Sequence, residues 1–224
     1  QIFEGLVGPK PGTTQVVPEL ATSWKATPNG LAWNFTLRRN VKFQDGTAFN
    51  AAAVCTNFTR WYNFPGPLQS DAVTYYWNTV FGGFAKPAAG SPGPDKSLYK
   101  GCKAHGPSKV SILLNRRSSS FIGALALTNF GMASPTALKK YQADAGTVDS
   151  NGVFHPTGTF GTQHPVGTGA WMLGAWKVGQ ALTLVRNPNY WGAKAKLDRV
   201  IIRPIADNAA RLQALQSGGI QGYD

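Results

Sequence analysis

Between residues 31 and 37 the chain alternates: Leu31, Trp33, Phe35 and Leu37 are separated by Ala32, Asn34 and Thr36. Period two with one apolar side predicts a half-buried antiparallel strand. Ahead of it, Ser23-Trp24-Lys25-Ala26 leads into Pro28-Asn29-Gly30, a reversal signal because Asn and Gly both tolerate positive φ. After it, Val41-Lys42-Phe43 reads as a short strand stopped by the Asp45-Gly46 turn. The period then changes. Asn50 is suited to cap a helix over 51–62, in which Val54, Phe58 and Trp61 recur at i, i+4 and i+7 as a core stripe, with Cys55 beside it.

The same reading extends along the chain. Gln1 to Gly8 is a short apolar element whose one carboxylate, Glu4, either faces a cavity or caps a neighbouring backbone group, and Pro9 to Thr14 is a loop. Pro65-Gly66-Pro67 breaks the first helix from a second, expected from Ser70 to about Phe81 with Val73, Trp77 and Val80 on one side. Residues 87–106 read as a long surface loop holding Cys102. Residues 109–115 read as a strand, 119–127 as an apolar helix, and Ser134-Pro135 as the cap and first residue of a helix to about Tyr141. Asp144 to Gly167 is a Gly- and Thr-rich loop. Two antiparallel strands follow around Gly179, then an aromatic turn at 187–192 and a strand at 198–204, expected to be buried. Asp207 caps a helix with Ala210, Leu212 and Leu215 inward, and Ile220 to Asp224 resembles the first residues of a further strand.

Composition adds class. With 42% hydrophobic and only 14% charged residues, the 224-residue chain can bury a substantial core, and its surface must lean on uncharged polar groups. That balance favours an exported protein. The net charge of +12 suits nucleic acid or an anionic membrane surface in principle, but the basic residues come in ones and twos, as a solvated face does, and no aromatic-basic RNA motif appears. No apolar run reaches membrane-spanning length. Cys55 and Cys102 form a single possible pair and fit no metal or redox spacing; they are either one disulfide, natural in an exported protein, or two buried thiols.

Candidate chemistry is sparse. Tyr75, Tyr76, Trp77, Phe81 and Phe84 form the densest aromatic cluster, able to stack on a ligand or to fill core. His155 and His164 stand in a loop without a paired carboxylate or cysteine, so no metal is expected. Gly167-Thr168-Gly169 lacks the lysine and further glycines of a phosphate loop. No nucleophile-base-stabiliser set or carboxylate pair is visible as a motif, and we expect neither an enzyme nor a cofactor.

Several blocks carry a family resemblance. Glu4-Gly5-Leu6-Val7, the run from Val17 to Trp24, Leu37 to Phe43 and Asp45 to Asn50 resemble, in order and spacing, the extracellular solute-binding proteins of the peptide and nickel ABC-importer family. Gly167 to Trp171, Arg186 to Trp191 and the 207–219 helix look like that family's second block. Ala170 departs from the family's usual proline, and residues 65–106 match no block.

The resemblance implies an α/β fold: the first lobe of a type II periplasmic binding protein, with a mixed sheet and an inserted α+β subdomain. Residues 1–22 and 165–224 would form the lobe core and 23–164 the insertion. The second lobe, and some chain before Gln1, would be missing. It further implies capture of an oligopeptide or similar small solute in an interlobe cleft, delivery to ABC permease membrane subunits, a monomer, no nucleic-acid partner, and extracytoplasmic placement as a cell-surface lipoprotein or in the periplasm. Glu4, Gly5, Leu6 and Val7 would border the ligand. Tyr75, Tyr76, Trp77 and Phe81 are added as wall candidates on composition. The alternatives are an oligosaccharide binder, suggested by seven tryptophans, and a non-transport sensor on the same fold.

Overall fold

The computed structural model describes residues 2–223. In chain order, strands β1 (Val7–Pro9), β2 (Val16–Pro18), β3 (Ala21–Ala26) and β4 (Ala32–Leu37) lead to helices α1 (Ala51–Tyr62) and α2 (Asp71–Val80). Strands β5 (Tyr99–Ala104) and β6 (Lys109–Leu114) precede the short helices α3 (Phe121–Leu125) and α4 (Pro135–Lys140) and the hairpin β7 (Gly146–Val148) with β8 (Phe154–Pro156). Last come β9 (Trp171–Lys177), β10 (Ala181–Arg186), β11 (Arg199–Ile202) and α5 (Asn208–Gln216).

The alternating strand sits where its pattern demands. β4 is central in a sheet of order β3-β4-β6-β5, with Phe35 opposite Val110 and Trp33 opposite Ile112. Gly30 takes φ +68° in the turn that precedes β4, a conformation strained for other residues. The sheet's apolar face packs on α1, whose amino end is closed by Asn50 Oδ1 accepting from the Ala53 amide at 3.0 Å. Val54, Phe58 and Trp61 are buried as the period requires. Phe58 stacks on Tyr99 at 5.9 Å between ring centres, and Trp77 stacks on Phe81 at 4.3 Å. Complete burial of a large apolar side chain contributes about 1.5–3 kcal/mol. Phe58, Phe81, Phe84 and Phe121 are all at 0% exposure, so this aromatic block dominates the core.

Cys102 lies on β5, not in a loop, and bonds to Cys55 of α1 with their Cα atoms 5.2 Å apart. Of the two readings of the pair, the structure therefore has the disulfide. Residues 99–104 form a strand because the chain folds back through His105, whose amide donates to the Lys109 carbonyl, and pairs with β6. The loop expected over 87–106 is thus shorter.

Other expectations need correction. Helix α2 is kinked at Thr74, which has φ −125°, so its buried face is Thr74 and Trp77 while Val73 is 43% exposed. The 144–167 segment contains the β7–β8 hairpin. The strand at 199–202 is not buried: Ile201 and Ile202 are 48% and 50% exposed. Leu212 and Leu215 of α5 are also exposed, because nothing among the described residues packs over that side. Residues 220–223 form no strand, and Gln1 and Asp224 lie outside the described residues.

Strand pairings among the described residues are all antiparallel. The fold is α/β through helices layered on sheets, and the parallel pairing of a mixed sheet is not among them. The expected boundary between residues 22 and 23 falls inside β3.

Candidate functional site

The amino-terminal segment is tied down along its length. The Ile2 carbonyl accepts from the Gly169 amide at 2.9 Å, and the Glu4 carbonyl from the Met132 amide at 2.8 Å. The Leu6 carbonyl accepts from the Ala21 amide at 2.8 Å. Gln44 adds a clamp, its Nε2 donating to the Trp171 carbonyl at 2.8 Å and its Oε1 accepting from the Gly167 amide at 3.3 Å. Segments far apart in sequence therefore meet along one edge.

Glu4 is the centre of that edge. Its Oε1 accepts from the Tyr190 hydroxyl at 2.7 Å, and its Oε2 from the Thr168 hydroxyl at 2.7 Å and the Trp191 indole N–H at 2.8 Å. A carboxylate offers about four acceptor positions, so most of this one is used. Of the two readings open from sequence, the backbone cap is not the one among these bonds: all three donors to the carboxylate are side chains. Glu4 fastens the 190–191 turn and the 167–169 loop onto the segment that leads into β1.

Glu19 supports the same place. Its Oε2 accepts from the Gly5 amide at 2.8 Å. The carboxylate lies so close to Gly8 that a Cβ there would come within 2.1 Å of Oε1, which explains glycine at that position. Burial pushes the Glu19 carboxyl pKa up; the Gly5 N–H opposes this and the nearby Glu4 charge adds to it. Burial and the Glu4 contact likewise raise the Tyr190 phenol. Arg38 Nε donates to the Glu19 carbonyl oxygen, and its guanidinium lies 4.3 Å from the centre of the Trp191 ring, a cation–π arrangement. Trp191 is thus held at its N–H by Glu4 and over its face by Arg38.

The residues expected at the site fall into two groups. Glu4 and Gly5 belong to the hydrogen-bonded edge, with Leu6 and Val7 at 1% exposure behind it. Tyr75 and Tyr76 are 55% and 40% exposed and meet edge to face at 5.3 Å. They line a groove of about 300 Å³ with Val73, Trp77, Asn129 and Phe130. Trp77 is 3% exposed, its indole N–H donating to the Gly83 carbonyl at 3.1 Å, and Phe81 is fully buried. Both rings are core side chains, Phe81 fully enclosed and Trp77 lining the groove with only 3% of its surface exposed. Among the described residues no hydrogen bond or ring contact joins the two groups.

Thr168, Tyr190, Trp191, Glu19, Arg38 and Gln44 were not singled out from sequence. Thr168 and the Tyr190-Trp191 pair lie inside blocks that carry the family resemblance, which was the available signal. The two loop histidines have different partners, Asp149 for His155 at 2.9 Å and Tyr141 stacked on His164 at 4.0 Å. No group of three or more metal-binding side chains gathers among the described residues.

Residues 15–224 match the family described as bacterial extracellular solute-binding proteins, family 5 Middle. The chain belongs to this family. Among family-5 relatives it is 31% identical over 215 residues to the probable D,D-dipeptide-binding periplasmic protein DdpA of Escherichia coli K12, covering 95% of this chain and 34% of that one. It is 32% identical over 206 residues to the glutathione-binding protein GsiB of Salmonella choleraesuis, covering 90% and 32%. The solved periplasmic binding protein DppA of Helicobacter pylori, in complex with the peptide STSA, superposes with a TM-score of 0.75 at 28% identity, covering 98% of this chain and 40% of that one. All three are described as binding proteins, none as an enzyme. The chain spans about a third of the length of these curated relatives.

Proposed function

We propose that the protein is the extracytoplasmic solute-binding component of an ABC importer, that it captures an oligopeptide or similar small solute between two lobes, and that it passes the solute to a membrane permease. Family membership supports the class. The observation that favours a peptide is the pairing of that membership with relatives described as binding a D,D-dipeptide, glutathione and the peptide STSA. The chemistry is capture: a pre-ordered edge needs no bond-making group, only main-chain and side-chain partners held in place before the ligand arrives.

In this reading residues 1–22 and 165–224 form the lobe core, residues 23–164 the inserted subdomain, and the protein works as a monomer. Glu4 to Val7 border the cleft, with the Glu4 carboxylate keeping the edge rigid. Tyr75 and Tyr76 are the aromatic wall candidates with exposed rings, and Trp77 and Phe81 back them from the core. No helix among the described residues is long and apolar enough to cross a membrane; attachment to the cell surface would come from a lipid anchor, and a periplasmic protein would need none.

The test is a thermal-shift screen of the full-length protein against di-, tri- and oligopeptides and a sugar library. Peptides should raise the melting temperature, by an amount that grows with ligand concentration. A rise with sugars and none with peptides would overturn the assignment in favour of the oligosaccharide reading.

A further inference from the structure

The four strands of the β3-β4-β6-β5 sheet have a second face, which the binding edge does not use. Phe35, Val110 and Ile112 turn into the core and Trp24 packs against it, so the alternate residues turn outward. Register places Lys25 beside Asn34, Asn34 beside Ser111, and Ser111 beside Lys103, in one row across the sheet. The next row has Ser23 beside Thr36 and Thr36 beside Lys109. Lys100 borders the same face beside Ala32 and Leu113. All four lysines are exposed. The polar centre of the row is satisfied internally: Ser111 Oγ donates to Asn34 Oδ1 at 2.6 Å and lies 3.0 Å from His105 Nε2.

The charge on this face has one sign. Residues 20–44 and 96–143, which include all four strands, contain no Asp or Glu. Among the described residues none of the four lysines is in an ion pair. With strands about 4.8 Å apart, Lys25 and Lys103 stand about 14 Å from each other, so the cations are spread over an area.

We propose that this outer face docks on an anionic phospholipid bilayer. Spread cations on a broad face match a plane of phosphates, and lysines near such a surface each strengthen binding about fivefold. A single-stranded nucleic acid would need aromatic platforms, and the tryptophans of these strands point inward. A duplex would touch such a face along one line only. The proposal rests on the importer reading for why a bilayer is at hand: docking would hold the loaded protein beside a membrane permease. The binding itself is read without solute.

The experiment is co-sedimentation of full-length protein with phosphatidylglycerol-containing vesicles and with pure phosphatidylcholine vesicles, at low and high salt. Binding is expected only to the anionic vesicles, weakening as salt shortens the Debye length. The combined Lys25→Gln, Lys100→Gln, Lys103→Gln and Lys109→Gln variant should lose at least about a hundredfold in partitioning. A variant losing as many charges elsewhere, at Lys140, Lys177, Lys194 and Lys196, should lose far less. Equal losses in the two variants, no preference for anionic vesicles, or tighter binding to single-stranded RNA or duplex DNA at the same salt would each overturn it. The solute-induced thermal shift is measured on the same variant, so loss of docking with retained solute response separates this proposal from the importer reading.

Discussion

Glu4 and Tyr190 are 186 residues apart in the chain, and the Tyr190 hydroxyl donates to the Glu4 carboxylate at 2.7 Å. This contact, with the Thr168 and Trp191 donors beside it, closes the carboxy-terminal third of the chain onto the amino-terminal segment ahead of β1. It makes the edge one unit, so damage to any member should be felt at the others.

Removing the Tyr190 hydroxyl therefore tests the unit. Tyr190→Phe leaves Oε1 of a partly buried carboxylate without its donor and should cost about 1–3 kcal/mol of stability. Glu4→Gln should also destabilise, because it removes the charge that strengthens all three bonds and leaves one acceptor oxygen where the carboxylate has two. Urea unfolding at neutral pH measures both. A change within about 0.5 kcal/mol in both variants would show that the contact does not hold the edge.

Glu19 sets a pH dependence. Its folded pKa is raised above the ordinary 4.5 by burial, reinforced by Glu4. The folded state thus takes up the proton more readily than the unfolded one. The stability this confers is fully present below about pH 4.5 and is lost as pH rises through the folded pKa. Glu19→Gln keeps an acceptor for the Gly5 amide and removes the buried charge. It should be more stable than the unaltered protein at pH 7, with the gap closing as pH falls toward 4.5. A gap independent of pH would count against burial of the charge.

Cys55 and Cys102 close a loop of 47 residues in sequence separation. By loop-closure entropy, reducing the bond or replacing both residues with serine should cost about 2–4 kcal/mol. Guanidinium unfolding with and without reductant reads this directly. Alkylation of two thiols in unfolded, unreduced protein would show that the bridge does not form.

Much of the first half of the chain was legible. The alternation over 32–37, the Asn50 cap and the stripe of Val54, Phe58 and Trp61 are local physics, each decided within a few residues, and the structure has them as read, with Leu31 left outside the strand and exposed. The β5 strand was missed because Lys, Gly and Ala break its alternation, and its place comes from pairing with β6. Val73 was placed inside because an ideal helix period was assumed, and the kink at Thr74 turns that residue out.

The site was legible only in part. Glu4 was marked by its isolation among apolar neighbours, but its partners lie 164 to 187 residues away, and no period or propensity reports a contact at that separation. Sequence also marked Ile201, Ile202, Leu212 and Leu215 as residues that want cover, and in this chain they are exposed.

The sequence alone determined β4, α1 with its Asn50 cap and apolar stripe, and α4 with its Ser134 cap, because those follow from backbone conformation and residue spacing within a few residues. It also carried the family, through blocks whose order survives divergence. Only the tertiary structure decided that Glu4 is an anchor, that Trp77 and Phe81 are core while Tyr75 and Tyr76 are open, and that the basic residues of β3, β5 and β6 share one face. Each of these depends on which elements pack together, and packing is settled by the summed burial of the whole core, not by any one stretch of chain.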